Sequence, residues 1–384
     1  MKTYDWIVVG GGITGASLAY ELSKQNLQVL LLEKDLTPDN ATVYSYGGLA
    51  YWSGTDEVTR QLGKEGIELH RQLGEELEGD TEFREVDLVL TIDKQDDPEV
   101  IAQNYDRFAI TPELLTVEEA CQLEPLLNPR AIAGVLKLPH GHIHPQKTTD
   151  AYLQAFQRLG GEIKYERVID LQQEQNTVQG VKTTENIYYA VSTVICAGGL
   201  TRSLLQTAGI TVDNYFTHSQ VIATPPVDIQ LSTIVMPAVQ QRFALEGLGK
   251  ETIWDNPQDS PVKSILDAGA VQFLDGSMFL GQISAIATNP KAQFDIVAAE
   301  QEIRQKIATL LPSLEKIPGT CHHCLVAFNN SAIALVGNLH NIPGLYLFSG
   351  FTSTLVFAPI LARRFTRWVT GTKDEIIEHL SLNI

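Results

Sequence analysis

A run of glycines between two apolar segments limits this chain's architecture more than any other feature. Asp5–Val9 reads DWIVV, a short run rich in β-branched residues, which is the composition of a buried strand. GGGITG follows, then apolar residues at helical spacing, then QVLLLE, a second buried strand. Strand, tight turn, helix and strand form a βαβ unit, and a crossover of that kind requires a parallel sheet.

The turn also carries chemistry. Gly10-x-Gly12-x-x-Gly15 places a glycine at each point where a side chain would obstruct. The first permits the tight turn, the second lets a pyrophosphate approach the backbone, and the third lets helix and strand pack closely. The helix N-terminus at Ile13 and Thr14 offers free N–H groups and a positive dipole end to phosphates. Glu33 ends the second strand 21 residues after Gly12, beside Lys34, where a carboxylate accepts hydrogen bonds from adenosine ribose hydroxyls. Together these describe a dinucleotide site. A single fingerprint at the N-terminal end favours FAD over NAD, because a bound flavin carries the redox chemistry itself.

The rest of the chain alternates in character. Residues 56–78 show a helical apolar face, residues 86–92 read as a strand, and a mixed, loop-rich region runs to about 140. A helix is expected from 147 to the glycines at 160 and 161, then strands near 163–170 and 178–183, then YYAVSTVICAGG. From about 215 to 300 strand-like segments alternate with turn chemistry, and a helix over 295–311 stops at Pro312. LYLFS and a helix over about 356–370 finish the pattern. This predicts an α/β fold: a Rossmann-like FAD-binding domain over 1–80, 145–215 and 320–384, and a second α+β substrate domain, built on an antiparallel sheet, over 81–144 and 216–319.

Several classes of function are disfavoured. The net charge of −18, with no basic stripe, suits neither nucleic acid nor anionic lipid. Four cysteines in 384 residues do not make a disulfide framework, so a reducing cytoplasm is expected. The N-terminus runs straight into a strand, leaving too little for a secretory signal. Ile342–Ala362 is uncharged over 21 residues, but its polar residues and prolines sit at the centre, so it reads as strand, loop and helix instead of a membrane span.

Five ordered segments make a resemblance specific. IVVGGGITGASLAYELSKQNLQVLLLEK, ATVYSYGGLA, HIHPQKTTDAYLQAFQRLGGEI, VSTVICAGGLTRSLL and GLYLFSGFTSTLVFAPILARRF together resemble the D-amino-acid oxidase superfamily, which contains glycine oxidase and sarcosine oxidase. The resemblance implies that Thr42, Ser45, Gly47 and Gly48 lie beside the pyrophosphate and flavin. It puts the Val168 backbone at the adenine, and packs Ala197 and Gly198 on the cofactor. Gly350, Phe351, Thr352, Ser353, Thr354 and Leu355 would approach the pyrimidine end of the flavin. It implies an FAD-dependent oxidoreductase acting on a C–N bond of a small amine or amino acid, by hydride transfer to flavin N5 with oxygen as acceptor.

The chain departs from that pattern at the substrate. Aligned on Gly337, the usual carboxylate-binding arginine falls on Val326, the usual Asp on Ser331 and the usual Pro on Ala334. The second basic position falls in GFTSTL, which has no charge. The alternative is therefore a dehydrogenase of a non-amine substrate, or a flavin-binding accessory protein. Arg242, His323 and Tyr46 are the candidate catalytic residues, with Arg242 placed in a β-rich segment. Tyr44, Tyr46, Tyr51, Trp52 and Phe351 are candidates for an apolar or cation-accepting pocket, with core packing the alternative.

CHHC at 321–324 suggests half of a zinc site, yet four adjacent residues cannot all face one tetrahedral ion, and no metal is expected. By the resemblance, Cys324 stands where some members bond covalently to the flavin. His140, His142 and His144 alternate along PHGHIHP and are expected to form a polar loop.

Overall fold

The computed structural model describes residues 2–249, 252–329 and 333–381. The N-terminal third gives β1 (Thr3–Val9), α1 (Ile13–Ser23), β2 (Val29–Glu33), β3 (Gly48–Leu49), α2 (Glu57–Glu76), β4 (Arg84–Asp93), α3 (Pro98–Gln103), β5 (Glu113–Leu115) and α4 (Val117–Leu123). Next come β6 (Ile132–His142), α5 (Pro145–Arg158), β7 (Glu162–Tyr165), β8 (Val168–Glu174), β9 (Thr177–Thr183), β10 (Ile187–Ile195), α6 (Thr201–Thr207), β11 (Tyr215–Ala223), β12 (Ile234–Pro237) and α7 (Gln241–Leu248). The chain continues through β13 (Lys263–Gln272), β14 (Met278–Ile286), α8 (Ile296–Leu310), β15 (Thr320–Phe328), β16 (Leu335–Asn338), β17 (Leu345–Ser349), α9 (Thr354–Val369) and α10 (Glu375–Ser381).

The first sheet runs β16-β17-β10-β1-β2-β7, with β9 also on β10 and β8 on β9. The β17, β10, β1, β2 and β7 neighbours are parallel, as the βαβ pattern requires. Both faces are covered, which explains why Trp6–Val9 is apolar throughout. Trp6 and Val8 pack with Leu18, Leu62, Phe156 and Phe365, whereas Ile7 and Val9 pack with Leu30, Leu32 and Leu205. Phe365 is fully buried, so truncating it to alanine would cost about 3–5 kcal/mol.

The second sheet runs β15-β11-β14-β13-β12-β4-β6-β3, with β5 on β6. It is antiparallel except where β12 runs parallel to β4. Helix α8 seals one face through Ile303 and Ile307 against Ile222, Leu280 and Cys321. The opposite face carries Leu88, Leu90, Leu136 and Val271 with Trp52.

Several expectations need correction. The strand expected near 163–170 is two strands in different pairings: β7 lies parallel to β2, and β8 antiparallel to β9. The region before 140 holds α3, β5, α4 and most of β6. Arg242 lies on a helix, α7, inside the β-rich stretch. A further helix, α10, follows α9 and adds Ile376, Ile377 and Leu380 to the first sheet's core. Thr320–Phe328, grouped by sequence with the first sheet, is an edge strand of the second. Ile342–Ala362 spans β17, the 350–353 loop and part of α9, and no helix among the described residues is long and apolar enough to cross a membrane.

Candidate active site

The glycine turn leaves β1 beside the end of β10, where Val9 is in register with Ile195. Parallel strands that diverge to opposite sides of the sheet open a crevice at their carboxyl ends. Gly10 has φ +113°, and a Cβ there would stand 2.5 Å from the Cys196 carbonyl oxygen. A Cβ on Gly15 would overlap the Gly10 carbonyl oxygen. The Gly11 N–H donates to Glu33 Oε2 at 2.6 Å, and the Ile13 N–H donates to Thr42 Oγ1 at 3.2 Å. Thr42 also lies 3.1 Å from where a Gly12 Cβ would be, so it seats the turn as well as flanking it. Thr14 stands in the first turn of α1, and Lys34 turns to pair with Asp35.

A cavity of about 90 Å³ beside this turn is lined by Gly11, Glu33, Asn40, Asp150 and Tyr165. Tyr165 sits opposite Glu33 in the β2–β7 register with its ring half exposed. Sequence reasoning did not single it out. Val168 lies three residues further on, pairing with Thr183.

The 42–48 loop is held from beneath by two histidines. Arg84 Nε–H donates to His142 Nδ1 at 3.3 Å, so His142 Nε2–H is the donor to the Tyr46 carbonyl at 3.0 Å. Trp52 Nε1–H donates to His140 Nδ1 at 3.0 Å, and His140 Nε2 occupies the space a Gly48 Cβ would need. Gly47 has φ +75° and passes directly over the Ile143 carbonyl. Burial lowers both histidines to about 3, so they stay neutral at physiological pH. The expected polar loop is therefore the end of β6, with two buried imidazoles shaping a glycine turn. His144 does something else: its Nδ1 accepts from the Lys147 N–H, 3.4 Å away, at the N-terminus of α5.

Beyond this loop lies one face of the second sheet. In β15, His322 and Cys324 face one way while Cys321 and His323 face the other. Tyr44 stacks on His322, with ring centroids 4.6 Å apart at 19°, and donates its hydroxyl hydrogen bond to Asp39 at 2.8 Å. Cys324 is buried, which pushes its thiol up to about 12. The Tyr46 hydroxyl is buried without a partner, and its acidity is further suppressed by Asp267 while Arg242 acts in the opposite sense. Thr217 Oγ1 and Ser219 Oγ of β11 are also buried and unpartnered; in the register, they stand beside Val326 and Cys324. Asp267 accepts the Gln241 and Arg242 N–H groups at 2.9 and 3.1 Å, anchoring the start of α7.

Tyr46 and Arg242 thus come together. His323 does not join them, because it lies 2.8 Å from His218 and stacks on Phe294. The His218 Nε2–H faces the Ala287 and Asn289 carbonyls, each at 3.1 Å, so His218 Nδ1 accepts from His323. The aromatic cluster divides too: Trp52 packs with Tyr105 and Phe108, and Phe351 with Phe348. Cys321 packs into the core beneath α8, and among the described residues no three Cys, His, Asp or Glu side chains gather as a metal site would. Ser331 lies outside the described residues, Val326 is part-buried and Ala334 is fully buried.

Two asparagines missed by sequence reasoning tie the sheets together. Asn214 Nδ2 donates to the Gly198 carbonyl at 3.2 Å, and Asn329 Nδ2 donates to the Gly350 carbonyl at 2.6 Å. They flank the paired ends of β11 and β15, where Tyr215 faces Phe328, and each reaches a different glycine loop of the first sheet. Ala197 precedes Gly198 in one of these loops. In the other, Thr352 N–H donates to the Ile333 carbonyl at 2.8 Å, and Ser353 has φ +44°, a strained value for serine, just before Thr354 and Leu355 open α9. An elongated phosphate-bearing group suits this setting: glycine turns without room for Cβ atoms, a helix N-terminus at each end, and unpartnered hydroxyls on the facing sheet.

Comparison with known proteins agrees. The DAO family, described as FAD dependent oxidoreductases, matches residues 5–368. The chain is 25% identical over 381 residues to 4-methylaminobutanoate oxidase (formaldehyde-forming) of Paenarthrobacter nicotinovorans, covering 95% of this chain and 44% of that protein. It is 33% identical over 225 residues to human peroxisomal sarcosine oxidase, covering 54% of this chain and 53% of that protein. The chain therefore spans about half the length of these two relatives. The fold matches glycine oxidase from Geobacillus kaustophilus with a TM-score of 0.79 at 19% identity, over 98% of this chain and 96% of that one. This chain belongs to the DAO family of FAD-dependent oxidoreductases.

Proposed function

We propose that the protein oxidises a C–N bond of a small amine or amino acid, with hydride passing to flavin N5 and oxygen as the acceptor. The observation that carries this reading is a set of three hydroxyls, that of Tyr46 in the 42–48 loop and those of Thr217 and Ser219 on β11, all buried without partners. FAD, when bound, supplies the two-electron acceptor. Gly10, Gly12, Ile13, Thr14 and Gly15 would hold its pyrophosphate, with Thr42, Ser45, Gly47 and Gly48 alongside. Glu33 would hold its ribose, with Lys34 beside it, and the Val168 backbone its adenine. Ala197, Gly198 and residues 350–355 would border the ring, where the N-terminus of α9 favours negative charge. Tyr46 would orient the substrate, while the two sheets exclude water. The first sheet would form the cofactor domain and the second the substrate domain.

One observation favours a second reading. Val326 and the uncharged 350–355 loop offer no cation to a carboxylate beside the reacting carbon. A non-amine dehydrogenase or a flavin-binding accessory protein is consistent with that. Anaerobic addition of amines and amino acids to the FAD-loaded protein separates the two: bleaching of the flavin, with peroxide on admission of air, is expected. Bleaching by non-amines alone, or by nothing, overturns the first reading.

A further inference from the structure

The charges around the Tyr46 hydroxyl do not balance. This hydroxyl stands 3.5 Å from where a Gly281 Cβ would be, and Gly281 pairs with Gly269 of β13, two residues past Asp267. Asp267 is buried and acts on Tyr46, and Arg242 acts on it in the opposite sense. Arg242 is already matched: Glu246 Oε1 lies 3.2 Å from its Nε, and Asp267 accepts its backbone N–H and feels its charge. One guanidinium therefore serves two carboxylates. Asp39, which is exposed, adds a third, accepting from the Tyr44 hydroxyl and acting on Cys324. The other cation at the 42–48 loop, Arg84, donates to His142 and to the Gln272 carbonyl, and Glu82 offsets its charge.

Buried hydroxyls accompany this surplus. Thr217 and Ser219 are 0% and 3% exposed, and neither hydroxyl has a partner. Ser219 is in register with Cys324, the thiol that acts on both Tyr44 and Tyr46. A hydroxyl donates to an anion or accepts from an ammonium N–H with equal ease, so the surrounding charge decides between them. Resting on the function proposed above, we propose that this site takes a cationic amine that carries no carboxylate. Val326 and the uncharged 350–355 loop then match the substrate, since a cation there would repel it. An acidic substrate would meet Asp267 and Glu246 with nothing to offset its desolvation.

The test uses the FAD-loaded protein and three inert ligands of similar shape: tetramethylammonium, tert-butanol and pivalate. Each is titrated while the flavin spectrum and the unfolding temperature are followed. Tetramethylammonium is expected to bind about tenfold or more tightly than pivalate, with tert-butanol between them. Asp267→Asn, which keeps one of the oxygens holding α7, should narrow that preference about threefold or more, and Asp39→Asn should narrow it less, because its charge is solvated. Tetramethylammonium that binds no tighter than pivalate, or not at all, overturns the proposal, as does a preference unchanged in every folded variant. If amines fail to bleach the flavin while the cation preference holds, the cation site stands and amine oxidation falls. If amines bleach the flavin while pivalate binds as tightly as tetramethylammonium, amine oxidation stands and the cation site falls.

Discussion

His70 Nε2 lies 2.8 Å from the carbonyl oxygen of Leu355, four residues before Pro359. Proline has no N–H, so that carbonyl loses its helical donor, and His70 supplies one from α2. The imidazole is buried, with Nε2–H donating and Nδ1 unpartnered. Replacing it with leucine strands a buried acceptor at the start of α9. His70→Leu is expected to lose about 1–3 kcal/mol of stability and to weaken FAD binding, measured by urea unfolding and flavin fluorescence. Unchanged FAD affinity would confine this contact to stability.

Acid should destabilise the fold before carboxylates titrate. Burial lowers His70 and His218 to about 4, and His140 and His142 to about 3. An unfolded chain takes up protons at these sites near 6.5, earlier than the folded one does, so stability is complete above about 6.5 and falls as pH drops towards 4. His70 alone accounts for about 3 kcal/mol across that window. Glu246 and Asp267, raised by burial, oppose this in part. Unfolding free energies at pH 7, 6 and 5 should decline progressively; a flat profile would contradict the neutral imidazoles.

Gly15→Ala should abolish cofactor retention, because the added methyl overlaps the Gly10 carbonyl and forces the turn from β1. Purified variant protein should be colourless and refuse added FAD in equilibrium dialysis. Gly247→Ala, on α7 with open space around its Cβ position, is the control and should stay yellow.

Asn214→Ala removes the donor to Gly198 and should cost about 1–3 kcal/mol. Its effect should appear in FAD affinity as well as in unfolding, since it loosens a cofactor loop from the second sheet.

Cys324 tests the mode of flavin attachment. A thiol must ionise to act as a nucleophile, and burial holds this one near 12. The flavin is therefore expected to leave the protein on acid precipitation, with Cys324→Ser retaining colour. Flavin that stays with the pellet would show a covalent bond.

What the sequence made legible was local. The βαβ unit could be read because the strand composition, glycine spacing and Glu33 all fall within one short stretch. Arg242 and Tyr46 stand out by residue type and by resemblance, but the helix under Arg242 could not be read, because QQRFAL lies among strand-like segments. His323 departs from expectation because alternation along β15 says that neighbours face opposite ways without saying which face meets the site. Asn214, Asn329 and His70 had no periodic signature at all. Their partners lie 16, 21 and 285 residues away, and only the assembled sheets bring them together.

The first sheet takes its β17 strand and its α9 cover from residues 345–369, whereas β1, β2 and β10 are made long before. During synthesis, the β10 edge and the apolar faces of α1 and α2 leave the ribosome well ahead of the segments that conceal them. A nascent chain of this protein would thus be a substrate for chaperones until residues 345–369 emerge.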